Sequence, residues 1–383
     1  MTLEEKRKAL AKVKKEVAKK LGEGMIISGN DIDDQEFYST GIPSIDNILG
    51  GGFAKGKLIS IYGAPSSGKS TLTLQTIAYN QKIDPEFMAL YVDQENAGFT
   101  KAYAKSLGVD LDRFDYMPAD KAEKTTTAIR ELLDSGVYNI VILDSTNALV
   151  PEGEMEKDVS ATGNTMAEVA RLLSKWCKQV CLQIAKPKTS IICIEQTRLD
   201  IGKRQMPGMP PAVVVGCGQA VGFYCSQRLE LTKGAPVKDG EQQVGRYVKC
   251  KGIKNKVALP NIKGQTILID GEGFNPERDA EEFLKQMFEA QADPAFVQVT
   301  KIKWEFRNPN GNVVEIKGKN NILQALKDSN NFDDALAIAK ACAQKQGKSN
   351  KAGSEEFSTS VDLTADAQEG VKDFNTDEEE PEV

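Results

Sequence analysis

The chain has 383 residues, 40% of them hydrophobic, a formal net charge of −6 and no histidine. That size suits a large core with one main domain and a smaller companion, and the missing histidine excludes every His-based nucleophile triad or general base and argues against a zinc centre. The seven cysteines form no CxxC pair and read as reduced core residues, and no apolar run approaches the roughly 20 residues that cross a bilayer, so a soluble, cytoplasmic protein is expected.

Residues 1 to 33 open with Leu10, Val13, Val17 and Leu21 at helical spacing among Lys12, Lys14, Lys15, Lys19 and Lys20, which predicts a basic amphipathic helix ended by Gly22 and Gly24. Its apolar stripe needs a surface, on this chain's own body or on a neighbouring subunit. The run GMIIS then reads as a short strand. From 34 to 270 the apolar runs KLISIYG, FMALYVD, YNIVILD and TSIICIEQ alternate with helical stretches, the pattern of a mostly parallel sheet with helices on both faces. AVGFYCSQRLELTKG, GRYVKCKGIKNKVA and GQTILID read as further strands added antiparallel to that sheet.

Residues 271 to 345 are expected to form a small α+β domain with a helix over AEEFLKQMFEA, a hairpin turning at Asn310-Gly311 and two more helices ending near Ala343. Residues 346 to 383 read as a disordered acidic tail. Its last thirty residues hold eleven acidic side chains and one lysine, leaving residues 1 to 353 at +4. The tail either keeps the protein in solution or competes with an anionic ligand for the basic body.

The stretch Gly63-Ala64-Pro65-Ser66-Ser67-Gly68-Lys69-Ser70-Thr71 follows a predicted strand and opens a predicted helix. Glycines at these positions let backbone N–H groups close around phosphate oxygens at a helix N-terminus. Lys69 then reaches the terminal phosphates and Ser70 holds magnesium. Asp144, closing YNIVILD, is the expected second carboxylate of the magnesium shell. Asp93 and Glu95 fall at the carboxyl end of another core strand, where open α/β sheets bind ligands, and with no histidine in the chain Glu95 is the candidate general base.

These residues also carry a family resemblance. The runs YSTGIPSIDNILGGGFAKGKLISIYGAPSSGKSTLTLQTIA, YVDQEN, AKSLGVD, VILDST, IEQTR, FYCSQRLEL and KGIKNKVALP resemble, in order, the RecA family of DNA recombinases. The likeness runs from the N-terminal helix to about Ala343. It implies the RecA-like P-loop ATPase fold, with ATP and Mg2+ as cofactors. It also implies specific roles: Tyr103 stacks on adenine, Gln196 senses the terminal phosphate, and Lys254 and Lys256 reach the ATP of an adjacent subunit. A structural tyrosine remains an alternative for Tyr103, because one extra residue separates it from Glu95, and a solvated strand face remains one for the two lysines.

The segments PEGEMEKDVSATGNTM and RLDIGKRQMPGMPPAVVVGCGQ stand where the family has its two DNA-binding loops. Met166, Arg171, Arg198, Lys203, Arg204, Val214, Gly216 and Gly218 are the candidate DNA contacts. Asn96 replaces the family's usual histidine, and Gly222 stands where a basic residue is usual. The resemblance implies an ATP-dependent recombinase that assembles as a homo-oligomeric filament on single-stranded DNA and exchanges strands with homologous double-stranded DNA. Mediator or single-strand-binding proteins are expected partners for the tail. Two other readings stay open at this point: a ring-forming helicase or loader on the same ATPase core, and a nucleotide-gated DNA-binding scaffold with negligible turnover.

Overall fold

The computed structural model describes residues 1–22, 26–96, 99–155, 165–199, 213–215, 220–300, 302–318 and 321–349. Contacts divide the chain into two compact units, Met1–Glu36 and Phe37–Val383.

The first unit is helix α1, Leu3–Leu21. A capping box starts it, with Thr2 Oγ1 accepting from the Glu5 N–H and Glu5 answering the Thr2 N–H. Glu4 and Glu5 in the first turn and Lys19 and Lys20 in the last complement the helix dipole, and Gly22 ends it as expected. The predicted strand over residues 24–28 is corrected in its described part: Ile26, Ile27 and Ser28 belong to no strand. A short apolar run becomes a strand only when a partner edge takes its hydrogen bonds.

The second unit begins with the two-stranded pair β1 (Phe37–Tyr38) and β2 (Phe53–Ala54), with α2 (Pro43–Leu49) between them. There follow β3 (Leu58–Gly63), α3 (Lys69–Ile83), β4 (Ala89–Asp93), α4 (Lys101–Ser106), β5 (Phe114–Met117), α5 (Ala122–Asp134) and β6 (Ile140–Asp144). Next are α6 (Glu152–Met155), α7 (Thr165–Gln183), β7 (Ser190–Leu199), β8 (Val213–Val215) and α8 (Ala220–Tyr224). The large sheet is completed by β9 (Gln227–Asp239), β10 (Gln242–Asn255), β11 (Lys263–Ile269) and β12 (Gly273–Phe274).

The sheet runs β12-β11-β10-β9-β3-β7-β6-β4-β5, with β8 paired to the end of β7. Its middle is parallel from β9 to β5, and β10, β11 and β12 add antiparallel at one side. The expectation of antiparallel additions therefore holds for β10 and β11, while β9 joins β3 in parallel. A second correction concerns AVGFYC: Ala220–Tyr224 is helical, and the strand begins only at Gln227. Val221 and Cys225, four apart, bury on one face there, so the apolar spacing was that of a helical turn.

Strand alternation divides the core in two. Ile59, Ile61, Tyr91, Ile142, Ile192 and Ile194 meet α2 and α3 on one face. Leu58, Leu90, Val92, Leu143, Ile191 and Cys193 meet α5, α7 and α8 on the other. Each such fully buried side chain contributes about 1.5–3 kcal/mol of hydrophobic stabilisation.

The C-terminal part comprises α9 (Pro276–Glu289), strands β13 (Phe296–Gln298), β14 (Lys303–Arg307) and β15 (Val313–Lys317), then α10 (Ile322–Asp328) and α11 (Phe332–Ser349). The hairpin at Asn310-Gly311 joins β14 to β15 as predicted, and α11 runs past the expected end near Ala343. This part has its own core of Phe283, Phe288, Phe296, Trp304, Phe306 and Ile316. It is tied to α2 by Asp279, whose Oδ2 accepts the Ser44 N–H at 2.8 Å. Among the described residues no helix is long and apolar enough to cross a membrane.

Candidate nucleotide site

The phosphate loop leaves the carboxyl end of β3 and enters α3 at Lys69. Gly63 must be glycine because an added Cβ would lie 2.1 Å from the Leu231 carbonyl oxygen of β9. Gly68, the N-cap residue of α3, has φ +94°, and a side chain there would strike the Phe274 ring. Ser66 also takes a positive φ, so Ala64, Pro65, Ser66 and Ser67 form a tight turn above the N-terminus of α3.

Lys69 is buried, and its Nζ donates to Gly63 O at 3.0 Å and Ala64 O at 2.9 Å. Two of its three N–H groups are thereby directed along the loop, leaving one for an anion. Burial holds its pKa below the usual lysine value, and the nearby Asp144 and Glu95 carboxylates oppose that shift. Ser70 donates to Asp144 Oδ2 at 2.6 Å, and Tyr91 OH donates to the same oxygen at 2.5 Å. Burial raises the Asp144 pKa, the Ser70 and Tyr91 hydroxyls pull it down, and Glu95 and Asp93 add repulsion.

Glu95 follows the end of β4, where Asp93 Oδ1 accepts the N–H groups of Glu95 and Asn96. Asn96 sits at φ 52°, a left-handed position that asparagine tolerates better than most residues. Ser145 donates to Glu95 Oε1 at 2.5 Å, and Gln196 Nε2 donates to the same oxygen. Asn147 bonds both the N–H and the carbonyl of Gln196, three residues before the last residue of β7. Both side-chain bonds to Glu95 fall on Oε1, which leaves Oε2 as an acceptor. Glu95, Gln196, Lys69, Ser70 and Asp144 thus converge at the carboxyl ends of β3, β4 and β6, with Gln196 of β7 in register with Gly63. Tyr91, Ser145 and Asn147 were not singled out in the sequence; Ser145 and Tyr91 lie within the quoted runs VILDST and YVDQEN, whereas nothing local marked Asn147.

Tyr103, half-buried on α4, packs on the α3 face of the core and its hydroxyl lies 2.9 Å from Thr71 Oγ1. It therefore stands at the end of the phosphate loop while also serving the core. A cavity of about 470 Å3 beside α3, lined by Gln75, Tyr79, Lys82, Leu107 and Arg113 among others, includes none of the loop residues.

Lys254 and Lys256 stand elsewhere. Lys254 pairs in register with Arg228 of β9, which pairs with Ser60 of β3, so Lys254 is level with a residue three positions before Gly63. That is about 10 Å of strand rise from the carboxyl end. Its Nζ donates to Gly222 O at 2.9 Å and Phe223 O at 2.7 Å. The reading of both lysines as strand residues on one face needs correction: a register shift interrupts β10 at Gly252/Lys254, and exposed Lys256 lies past the strand's last residue.

Of the candidate DNA contacts, Arg198 and Val214 are exposed and directly paired between β7 and β8. Arg171 is exposed on α7, which also carries Met166, whose side chain is not among those described. Lys203, Arg204, Gly216 and Gly218 lie outside the described residues.

A glycine-rich loop between strand and helix, with the Asp144 carboxylate bonded to Ser70 at its base and a Gln–Glu pair across the neighbouring strands, is the arrangement of a P-loop ATPase on a mostly parallel sheet. The model of the RecA N-terminal domain matches residues 8–275. The chain is 33% identical to Protein RecA of Thermotoga petrophila over 349 residues, 90% of this chain and 93% of that protein. It is 39% identical to Protein RecA of Francisella tularensis subsp. novicida over 278 residues, 72% and 75% of the two chains. Among solved structures, the RadB recombinase aligns at 24% identity with a TM-score of 0.45, covering 62% of this chain and 98% of that one. The chain belongs to the RecA family. It is a RecA-like recombinase, an ATP-binding and DNA-dependent ATPase of DNA recombination and repair.

Proposed function

We propose that this chain polymerises on single-stranded DNA with ATP bound between successive subunits, and that the resulting filament pairs and exchanges homologous strands. Lys69 and the loop N–H groups hold the terminal phosphates, and Tyr103 flanks the base. Ser70 and Asp144 offer hard oxygen donors that suit Mg2+, which keeps several waters and few protein ligands. When bound, that ion neutralises phosphate charge. Glu95 Oε2 takes a proton from the attacking water, while Gln196 and Ser145 hold the carboxylate's other oxygen and so fix its direction. Exposed Arg198 and Arg171 contact the DNA backbone and exposed Val214 packs against bases, giving binding that is salt-sensitive and largely independent of sequence.

The observation that carries the assembled form is the placement of Lys254 near the amino end of β9 and β3, away from its own phosphate loop. Cations there serve a nucleotide held by a neighbouring copy. A helical polymer built through such a head-to-tail contact stays open. Mixing subunits tests this. Lys69→Ala subunits supply the lysines without a cradle, and Lys254→Ala/Lys256→Ala subunits supply the cradle without the lysines. The mixture should hydrolyse ATP on single-stranded DNA faster than either component alone; no gain on mixing overturns the shared site. Imaging of filaments and a strand-exchange assay with the unaltered chain test the remainder, and closed rings would favour a helicase or loader instead.

A further inference from the structure

Asp93, the last residue of β4, is 2% exposed and pairs in register with Asp144 of β6. Its Oδ1 accepts the Glu95 N–H at 3.1 Å and the Asn96 N–H at 2.9 Å, an Asx turn that fixes the backbone carrying Glu95. The Gln94 N–H donates to Asp144 O at 2.6 Å, so the turn is tied to β6 as well. The other carboxylate oxygen, Asp93 Oδ2, accepts from the Tyr116 hydroxyl at 3.1 Å. Partial burial and then the Asp93 charge raise the Tyr116 pKa, so the phenol stays protonated and remains a donor at neutral pH.

Strand register explains why Tyr116 reaches this carboxylate. β5 runs parallel to β4 at the edge of the sheet with Tyr116 beside Tyr91, and residues 91 and 93 share one face. Tyr91 OH goes to Asp144 and Tyr116 OH to Asp93, so neighbouring tyrosines each hold one of the carboxylates that close β6 and β4. Phe99 packs against both. Its ring centroid lies 5.5 Å from that of Tyr91 and 4.9 Å from that of Tyr116, and it stacks on Phe114 at 5.4 Å. Tyr116 is 40% exposed, and the Phe99 ring supplies the wall that keeps it in the rotamer directed at Asp93.

We propose that Tyr116 is a positioning residue for ATP hydrolysis: by holding Asp93 Oδ2 it orients the carboxylate whose Oδ1 anchors the Glu95 backbone, and so sets where the Glu95 side chain reaches. The inference rests on the general-base role given above to Glu95. Tyr116 touches no reacting atom. Ser145 and Gln196 hold the Glu95 side chain at Oε1, while Tyr116, through Asp93, fixes the root of the same side chain. Removing the hydroxyl leaves Oδ2 a buried charged acceptor without its donor. The carboxylate then turns toward another donor and takes the Glu95 N–H with it.

Tyr116→Phe removes the hydroxyl alone and keeps the ring against Phe99, so the fold is retained. ATP turnover on single-stranded DNA, resolved into kcat and KM, is measured for the unaltered chain, Tyr116→Phe, Glu95→Gln and Tyr116→Phe/Glu95→Gln. A displaced base costs rate rather than affinity, so kcat of Tyr116→Phe should fall about tenfold. KM should stay within about twofold of the unaltered chain. Because the hydroxyl acts only through Glu95, adding Tyr116→Phe to Glu95→Gln should cost no more than about twofold further. A loss of the same size in both backgrounds, or a rise in KM in place of the fall in kcat, would make the hydroxyl a support of the sheet edge and overturn the proposal. If Glu95→Gln itself keeps normal turnover, the general-base reading falls and the positioning role with it. If Glu95→Gln loses turnover while Tyr116→Phe does not, only the positioning role falls.

Discussion

Gln196 Nε2 donates to Glu95 Oε1, joining β7 to the turn after β4 between two residues 101 positions apart in the chain. The bond makes the proposed water-activating carboxylate and the proposed phosphate sensor one unit. Glu95→Gln should still bind ATP and assemble on DNA, while hydrolysis falls about 100-fold or more, the usual loss when a general base is removed. Gln196→Ala should keep ATP affinity and lose DNA-stimulated turnover. Steady-state hydrolysis beside equilibrium nucleotide binding checks both, and an unchanged rate for Glu95→Gln would remove it from the mechanism.

Lys69 gives its N–H groups to Gly63 O and Ala64 O and so shapes the loop as well as charging it. Lys69→Ala should abolish measurable ATP binding in an equilibrium titration with a fluorescent analogue. Normal affinity would contradict the phosphate-loop assignment.

Asp279 ties α9 to Ser44 of α2, and burial pushes its carboxyl up to about 6. The folded chain therefore holds this proton more tightly than the unfolded chain does, with Asp46 adding repulsion to the charged form. Stability from this group is fully present below about pH 4, is lost as pH rises through 6, and changes no further above that. The full difference is about 3 kcal/mol. Asp279→Asn should retain an acceptor for Ser44 and flatten this part of the profile. Denaturant midpoints of both chains between pH 4 and 8 read it; parallel curves would show that Asp279 is not the titrating group.

Removing residues 354–383 takes away eleven acidic side chains and one lysine from a body that carries +4. The shortened chain should hold single-stranded DNA to higher salt than the full chain, as a titration of DNA binding against salt would show. Coincident titrations would leave the tail a solubilising segment.

Local spacing carried most of the nucleotide site. The glycines and Lys69 of the loop act within nine consecutive residues, Asp144 closes one apolar run and Glu95 lies two residues past the end of another, so strand, turn and helix periodicity alone put them at the carboxyl side of the sheet. The alternation of apolar strands and helices likewise yielded the parallel sheet, because strands buried on both faces must be apolar throughout.

What the tertiary structure decided were pairings between residues far apart in sequence, chiefly buried polar ones. Nothing local tells that Glu195 meets Ser60 and Arg228, that Asp279 reaches Ser44, or that Gly222 leaves room for a guanidinium, since each depends on which strands and helices become neighbours. The same limit explains the errors at residues 24–28 and 220–224: an apolar run records how much surface must be buried, while the choice between strand and helix belongs to the edge or face that receives it. Lys254 reads as a solvated strand residue until β10 is laid beside β9 and β3, when its distance from its own phosphate loop becomes a geometric fact.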